Sequence, residues 1–152
     1  MFWVRIDNRL VHGQIIEAWL PFTDARSIVV VNDGLAEDKL RQQIMSLAIP
    51  MGVDIAFVAV EAIKAHLGEH KLLGGDVLLL FANCPDAKRA FETGLGFTRL
   101  NLGNMHYSPG KKHVCQHIAL SKEDESCLDF FLNQGILLDY RCIPSDPVQI
   151  SD

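Results

Sequence analysis

The sequence has no apolar run near the roughly 20 residues that cross a bilayer as a helix. Its longest candidate, Val77–Ala82, has the length of a buried strand. The opening Met1-Phe2-Trp3-Val4-Arg5 has no basic segment followed by an apolar stretch, so no secretory signal peptide is expected. Cysteine is sparse and scattered. Cys84, Cys115, Cys127 and Cys142 form no C-x-x-C pair, which points to reduced thiols in a cytoplasmic protein. No Lys/Arg stripe or cluster stands out, so a nucleic-acid partner is not expected. Glycine-rich phosphate motifs are also missing: neither G-x-G-x-x-G nor G-x-x-x-x-G-K-S/T follows the first strand, and Gly94-Leu95-Gly96 precedes a strand instead. A nucleotide-binding domain therefore fails on placement.

What is present is an ordinary globular composition. The chain has 152 residues, 49% hydrophobic and 22% charged. That length suits one core, and no linker, repeat or low-complexity stretch divides it, so residues 1–152 read as a single domain. The formal charge is −5, and it is unevenly placed. Residues 121–152 hold seven acids and two bases, while the remaining 120 residues hold twelve of each sign.

Short apolar runs alternate with helical patterns. Phe2–Asp7, Ser27–Val31, Val53–Val60 and Val77–Ala82 read as strands, with weaker ones at Thr98–Leu102, Val114–Leu120 and Leu137–Ile143. The spacing predicts helices over Gly13–Leu20 and over Leu35–Ile49. The second turns Ala36, Leu40, Ile44, Leu47 and Ala48 inward. Pro85 opens another helix with Gly94 as its exit, and Ser121-x-x-Asp124 resembles a capping box ahead of a helix closed by Gly135. This pattern predicts an α/β domain: a doubly wound, mostly parallel sheet of about seven strands with helices on both faces, in an order the periodicity does not fix.

Such sheets bind ligands beyond the carboxyl ends of their strands. The first of these ends is the richest: Asp7-Asn8-Arg9-Leu10-Val11-His12-Gly13-Gln14. His12 stands immediately before a helix, and a neutral imidazole is a nucleophile near pH 7. A phosphoryl group placed on it would meet free N–H groups and a favourable dipole. Arg9, Gly13 and Gln14 are the phosphate-binding candidates: the guanidinium can donate a charge-assisted pair, and the glycine admits a close backbone approach. Asp7 could orient the imidazole or hold Arg9. A loop histidine is equally compatible with a solvent-facing or structural role, and the residues alone leave both open. Asn32, Asp33, Asn83 and Asn104, at other strand ends, are supporting candidates that could equally be caps or turn residues.

Arg5-Ile6-Asp7-Asn8-Arg9-Leu10-Val11-His12-Gly13-Gln14, followed by Trp19, resembles the opening of the enzyme IIB component of the bacterial phosphoenolpyruvate:sugar phosphotransferase system, in its mannose/fructose/sorbose family. The resemblance continues through Val31-Asn32-Asp33, Leu80-Phe81-Ala82-Asn83, Asn101-Leu102-Gly103-Asn104-Met105, Gly110-Lys111 and Gly135-Ile136. It implies a protein phosphohistidine–sugar phosphotransferase. In that reading His12 accepts a phosphoryl group through Nδ1 from a IIA component and passes it to a sugar of mannose, fructose, sorbose or N-acetylgalactosamine type entering through a IIC/IID permease. The resemblance assigns Arg9 to the phosphoryl group and Asp7 as the neighbouring acid. It implies no cofactor beyond the covalent phosphohistidine, a cytoplasmic location beside the permease, and a homodimer as a further assembly. A non-transporting phosphoacceptor that signals sugar or phosphoenolpyruvate status to a protein partner would use the same residues.

No metal site is expected. His66 and His70 fall at i, i+4 but lack a third ligand. His113, Cys115 and His117 would share one strand face, yet zinc wants a further ligand that the sequence does not supply. Trp3 and Trp19 read as packing residues.

Overall fold

The computed structural model describes residues 2–69, 76–148 and 150–151. Its strands are β1 (Phe2–Asp7), β2 (Ala25–Val31), β3 (Asp54–Val58), β4 (Asp76–Phe81), β5 (Arg99–Asn104), β6 (Lys112–Cys115), β7 (Ile118–Leu120), β8 (Leu137–Asp139) and β9 (Ile150–Ser151). Seven of them form one sheet in the order β3-β2-β4-β1-β5-β8-β9. All neighbours in it are parallel except β8 and β9. The helices are α1 (Leu20–Thr23), α2 (Asp33–Glu37), α3 (Lys39–Ser46), α4 (Ile63–Glu69), α5 (Cys84–Glu92) and α6 (Lys122–Asn133). Among the described residues, no helix is long and apolar enough to cross a membrane.

Alternation along the strands builds the two layers. Val29, Val31, Leu79 and Phe81 face a core completed by Ile63 of α4, Ala87 and Ala90 of α5, and Leu128 and Phe131 of α6. Their neighbours Ile28, Val30, Leu78 and Leu80 face Ile15, Trp19, Leu20 and Leu35 on the other side. Both strand faces are covered, which is why these strands are nearly continuous in apolar residues.

Several elements follow the sequence closely. Asn83 caps α5, and Pro85 lies in its first turn. Ser121 and Asp124 form the reciprocal capping box of α6, and Gly135 follows that helix at φ +78°, a conformation that favours glycine.

Other elements differ. The first helix is a π-helical turn at Ile15–Trp19 followed by α1, which takes Pro21 in its own first turn, where proline is tolerated. The helix expected over Leu35–Ile49 is two helices. The Asp38 carboxylate accepts from Arg41 N at 3.1 Å and restarts the chain as α3. That break rotates the expected inner face outward: Leu40, Ile44 and Leu47 are 66%, 59% and 87% exposed. Met45 and Ile49 pack on the core in their place.

Val53–Val60 shortens to β3 and ends in a 3₁₀ turn at Val60–Ala62. The strand expected over Val114–Leu120 is a hairpin of β6 and β7, lying outside the main sheet. Its turn parts His113 from His117, while Cys115 Sγ stays 3.8 Å from the His117 ring nitrogens. His113 stacks on Tyr107 with centroids 5.0 Å apart, and His117 Nε2 pairs with the Tyr140 carbonyl at 3.1 Å. His70 lies outside the described residues. The last expected strand stops at Asp139, where Arg141 N donates back to the Asp139 carboxylate at 3.1 Å.

Candidate functional site

The carboxyl end of β1 sits in the middle of the sheet, between β4 and β5. The β1–β5 register shifts between Ile6 and Asp7, so that Asp7 pairs with Asn104. Bulges of this kind re-aim a side chain. Asn8 N then donates to Asn104 O at 3.1 Å, and the Asn104 amide hydrogen-bonds the Asn8 side chain. Asn104 thus pins the start of the loop to the end of β5.

The loop turns sharply at Leu10, which has φ +57° and donates its N–H to Asp7 O at 2.9 Å. A non-glycine residue in that conformation costs about 1–3 kcal/mol. Leu10 is buried in the core under the sheet, and burying a leucine contributes about 1.5–3 kcal/mol. The two are of like size, so packing holds the turn. Two residues on, the His12 carbonyl accepts from Ile15 N at 3.1 Å and Ile16 N at 3.2 Å, which starts the helix.

The result folds Arg9 and His12 back over Asp7. Oδ1 of the fully buried Asp7 accepts from Arg9 N and Arg9 Nε, both at 3.0 Å. Oδ2 accepts from Arg5 Nη2 at 3.0 Å and Arg9 Nη2 at 3.1 Å, and lies 2.9 Å from His12 Nε2. Burial alone would push the Asp7 pKa up. The hydrogen bonds from His12 and Arg9 and the charge of Arg5 outweigh it and hold the carboxyl well below the usual carboxylate range. An ionised carboxylate only accepts, so the neutral imidazole facing it carries its proton on Nε2. Nδ1 is left with a lone pair, and among the described residues no group hydrogen-bonds it. The His12 side chain is 16% exposed and Arg9 is 37% exposed.

Two guanidiniums share one carboxylate here, so the cluster keeps an excess of positive charge beside the imidazole. Arg9 Nη2 also donates to Gln14 Oε1 at 3.0 Å. Arg9 and Gln14 form one wall of a cleft of ≈ 460 Å³ whose other walls include Asn104, His117, Cys142 and Asp146. A larger hollow of ≈ 850 Å³ opens at the amino ends of β1, β5 and β8, the far edge of the sheet from this chemistry. Gly13 is exposed, and a Cβ built on it meets nothing within 4 Å. The chain's own packing therefore leaves room for a side chain at this position.

The remaining candidates serve neighbouring helix ends. Asn32 caps α2 by accepting from Leu35 N at 3.0 Å, and Asn83 caps α5 through Asp86 N at 2.9 Å. Asp33 accepts from Val60 N at 2.9 Å and from Arg89 at 3.1 Å. None of the three hydrogen-bonds Asp7, Arg9 or His12. Among the described residues, no group of three or more His, Cys, Asp or Glu is arranged to hold a metal ion. The structure adds residues that the sequence reading passed over. Arg5, Asn101 and Gly103 lie beneath Asp7, with the carbonyls of Arg141 and Cys142 beside them.

The model of one protein family, described as the PTS system sorbose subfamily IIB component, matches residues 1–151. The chain is 31% identical over 143 residues to the PTS system sorbose-specific EIIB component of Klebsiella pneumoniae, covering 94% of this chain and 87% of that protein. It is 33% identical over 143 residues to the PTS system mannose-specific EIIAB component of Escherichia coli strain K12, covering 94% of this chain. It spans only 44% of the length of that relative. Its fold superposes on the crystal structure of the IIBSor domain of the sorbose permease from Klebsiella pneumoniae with a TM-score of 0.90, at 29% identity over 98% of this chain and 92% of that one. A match over nearly every residue, in sequence and in fold alike, places the chain in the sorbose-subfamily IIB component family of the sugar phosphotransferase systems.

Proposed function

We propose that this chain is a phosphocarrier in which His12 Nδ1 takes a phosphoryl group from a phosphohistidine of a IIA partner and passes it to a sugar hydroxyl. The sugar is of mannose, fructose, sorbose or N-acetylgalactosamine type and enters through a IIC/IID permease, with the carrier working on its cytoplasmic side. The observation that carries this reading is the 2.9 Å contact between His12 Nε2 and Asp7 Oδ2, which leaves Nδ1 as the nucleophilic nitrogen.

In the first step the N–P bond on the donor breaks as the Nδ1–P bond forms. His12 retains its Nε2–H, and the ring gains positive charge that Asp7 stabilises. The phosphoryl group brings a charge of about −1.5 to −2, which the excess of guanidinium over carboxylate is poised to meet. Arg9 supports the equatorial oxygens, where charge is spread in the transition state. Gln14 steadies Arg9, and Gly13 keeps the approach open. In the second step the Nδ1–P bond breaks and its electron pair returns to Nδ1, while the sugar oxygen bonds to phosphorus and its proton passes to solvent. The phosphoryl group is carried covalently in both steps and needs no separate cofactor.

Reconstitution with enzyme I, HPr, a cognate IIA and labelled phosphoenolpyruvate tests the proposal. Acid-labile label should map to His12 and be absent from His12→Ala. Membranes bearing the matching permease should then drain it only when sugar is present. Loaded IIA that leaves His12 unlabelled overturns the proposal. Drainage by a protein partner without sugar would replace transport with signalling.

A further inference from the structure

Arg5 lies in the middle of the central strand β1 and is 1% exposed. Alternation along β1 sends Val4 and Ile6 into one core and puts Arg5 on the same face as Asp7. Both terminal nitrogens of its guanidinium are held. Nη2 donates to Asp7 Oδ2 and to the Cys142 carbonyl, both at 3.0 Å. Nη1 donates to the Asn101 side chain and, at 3.4 Å, to the Arg141 carbonyl. The Trp19 ring stacks on it at 4.8 Å. Gly103 makes the room, since a Cβ there would collide with the Arg5 guanidinium.

The arrangement is costly. Arg5 Nε is buried without a hydrogen-bond partner, and burial draws the guanidinium's pKa down against the pull of Asp7. Tying down two carbonyls needs only a neutral donor. Asp7 is the neighbour that needs a charge. Its other guanidinium, Arg9, is partly exposed and bonded to both carboxylate oxygens. If Arg9 turns to a phosphoryl group, it must give up part of that bidentate grip, and a buried carboxylate left unpaired would take up a proton or rotate.

We infer that Arg5 is a positioning residue for phosphoryl transfer: it stays on Asp7 while Arg9 is handed from the carboxylate to the phosphoryl oxygens, and so keeps His12 in the tautomer that exposes Nδ1. This rests on the reading of His12 as the acceptor. It divides the two arginines by burial, the fixed one serving the acid and the exposed one serving the transferred group.

The test compares Arg5→Met and Arg5→Lys with the wild type in the full chain. Ring ¹⁵N spectra of His12 across pH report the tautomer without any phosphoryl transfer. In the same samples, uptake of label from phospho-IIA reports the rate. In Arg5→Met the Nε2–H tautomer should lose its dominance and uptake should fall about 100-fold, the scale of a misplaced reacting group. Arg5→Lys should restore part of both. A folded Arg5→Met with wild-type ring shifts and wild-type uptake overturns the inference alone. Loss of fold in both variants would make Arg5 a structural strut and overturn it as well. Wild-type protein that takes no label at His12 defeats the acceptor reading itself, a distinguishable result.

Discussion

His12 meets Asp7 through Nε2 alone, at 2.9 Å from a carboxylate oxygen that two arginines also hold. Replacing that oxygen by an amide nitrogen would remove the acceptor that selects the tautomer. Asp7→Asn should therefore reduce phosphoryl uptake by about 10²–10⁴-fold, the range of positioned acid–base groups. It should also cost about 3–5 kcal/mol of stability, because Arg5 would be left buried without its counter-charge. Uptake assays and urea melts on the same variant check both.

The depressed pKa of Asp7 fixes the sign of an acid dependence. Below the ordinary carboxylate value of about 4, the unfolded chain binds a proton at this position that the folded chain refuses. The contribution of Asp7 is thus fully present above that pH and is lost as the pH falls toward its lower folded-state value. Urea midpoints taken from about pH 6 down to about pH 2 should fall less steeply in Asp7→Asn than in the wild type. Asp33, also held low, first by the Val60 N–H, acts in the same direction in both proteins and cancels in the comparison.

Arg9 presents a fork to Asp7, with Nε on one oxygen and Nη2 on the other. Lysine cannot reproduce two parallel bonds. Arg9→Lys should keep the fold, since the side chain is partly exposed, while uptake slows by about 10- to 100-fold, one to two steps of roughly 1.4 kcal/mol in the barrier. Equal rates in stopped-flow transfer would remove Arg9 from the mechanism.

Gly13 separates packing from function. No atom of the chain stands within 4 Å of a Cβ built there, so Gly13→Ala should leave the melting temperature unchanged or slightly raised, by up to about 1 kcal/mol in stability. If the open space belongs to the phosphoryl group or its donor, uptake should nevertheless fall, by about tenfold or more. Unimpaired uptake would return Gly13 to an ordinary helix start.

The outward turn of α3 is testable by stability alone. Leu47→Gln should change unfolding free energy by less than about 0.5 kcal/mol, as exposed positions do. Leu79→Ala, in the fully buried centre of β4, should cost about 2–5 kcal/mol. A large loss at Leu47 would contradict the exposed face.

The sheet and its coverage were legible because short β-branched and leucine runs such as Val29–Val31 and Val77–Phe81 have the length and composition of strands buried on both sides. The caps at Asn83 and Ser121 were legible because capping is local chemistry. The face of α3 was not. Its heptad-like spacing of Leu40, Ile44 and Leu47 states a stripe but not a direction, and a single cap at Asp38 decides the direction. The hairpin of β6 and β7 was hidden because Cys115-Gln116-His117 carries no glycine or proline to mark the turn. At the site, Asp7, Arg9 and His12 were visible as neighbours in sequence. Apart from Asp7, the hydrogen-bond partners of Arg5 come from β5 and from the segment after β8, and pairings at that distance leave no local signal. An arginine in the middle of a central strand was itself the clue, since a buried charge demands a partner.

The contacts between β1 and the segment after β8 bear on how the protein is made. Arg5 and Cys142 are 137 positions apart, and Trp19 reaches the same carbonyl from 123 positions away. A ribosome extending the chain at about 5–20 residues per second delivers the histidine loop many seconds before the peptide carbonyls that secure its foundation. Chains released early by proteolysis or a premature stop would carry every residue of the loop and still lack its anchorage, so competence at this site arrives with the whole domain and not by instalments.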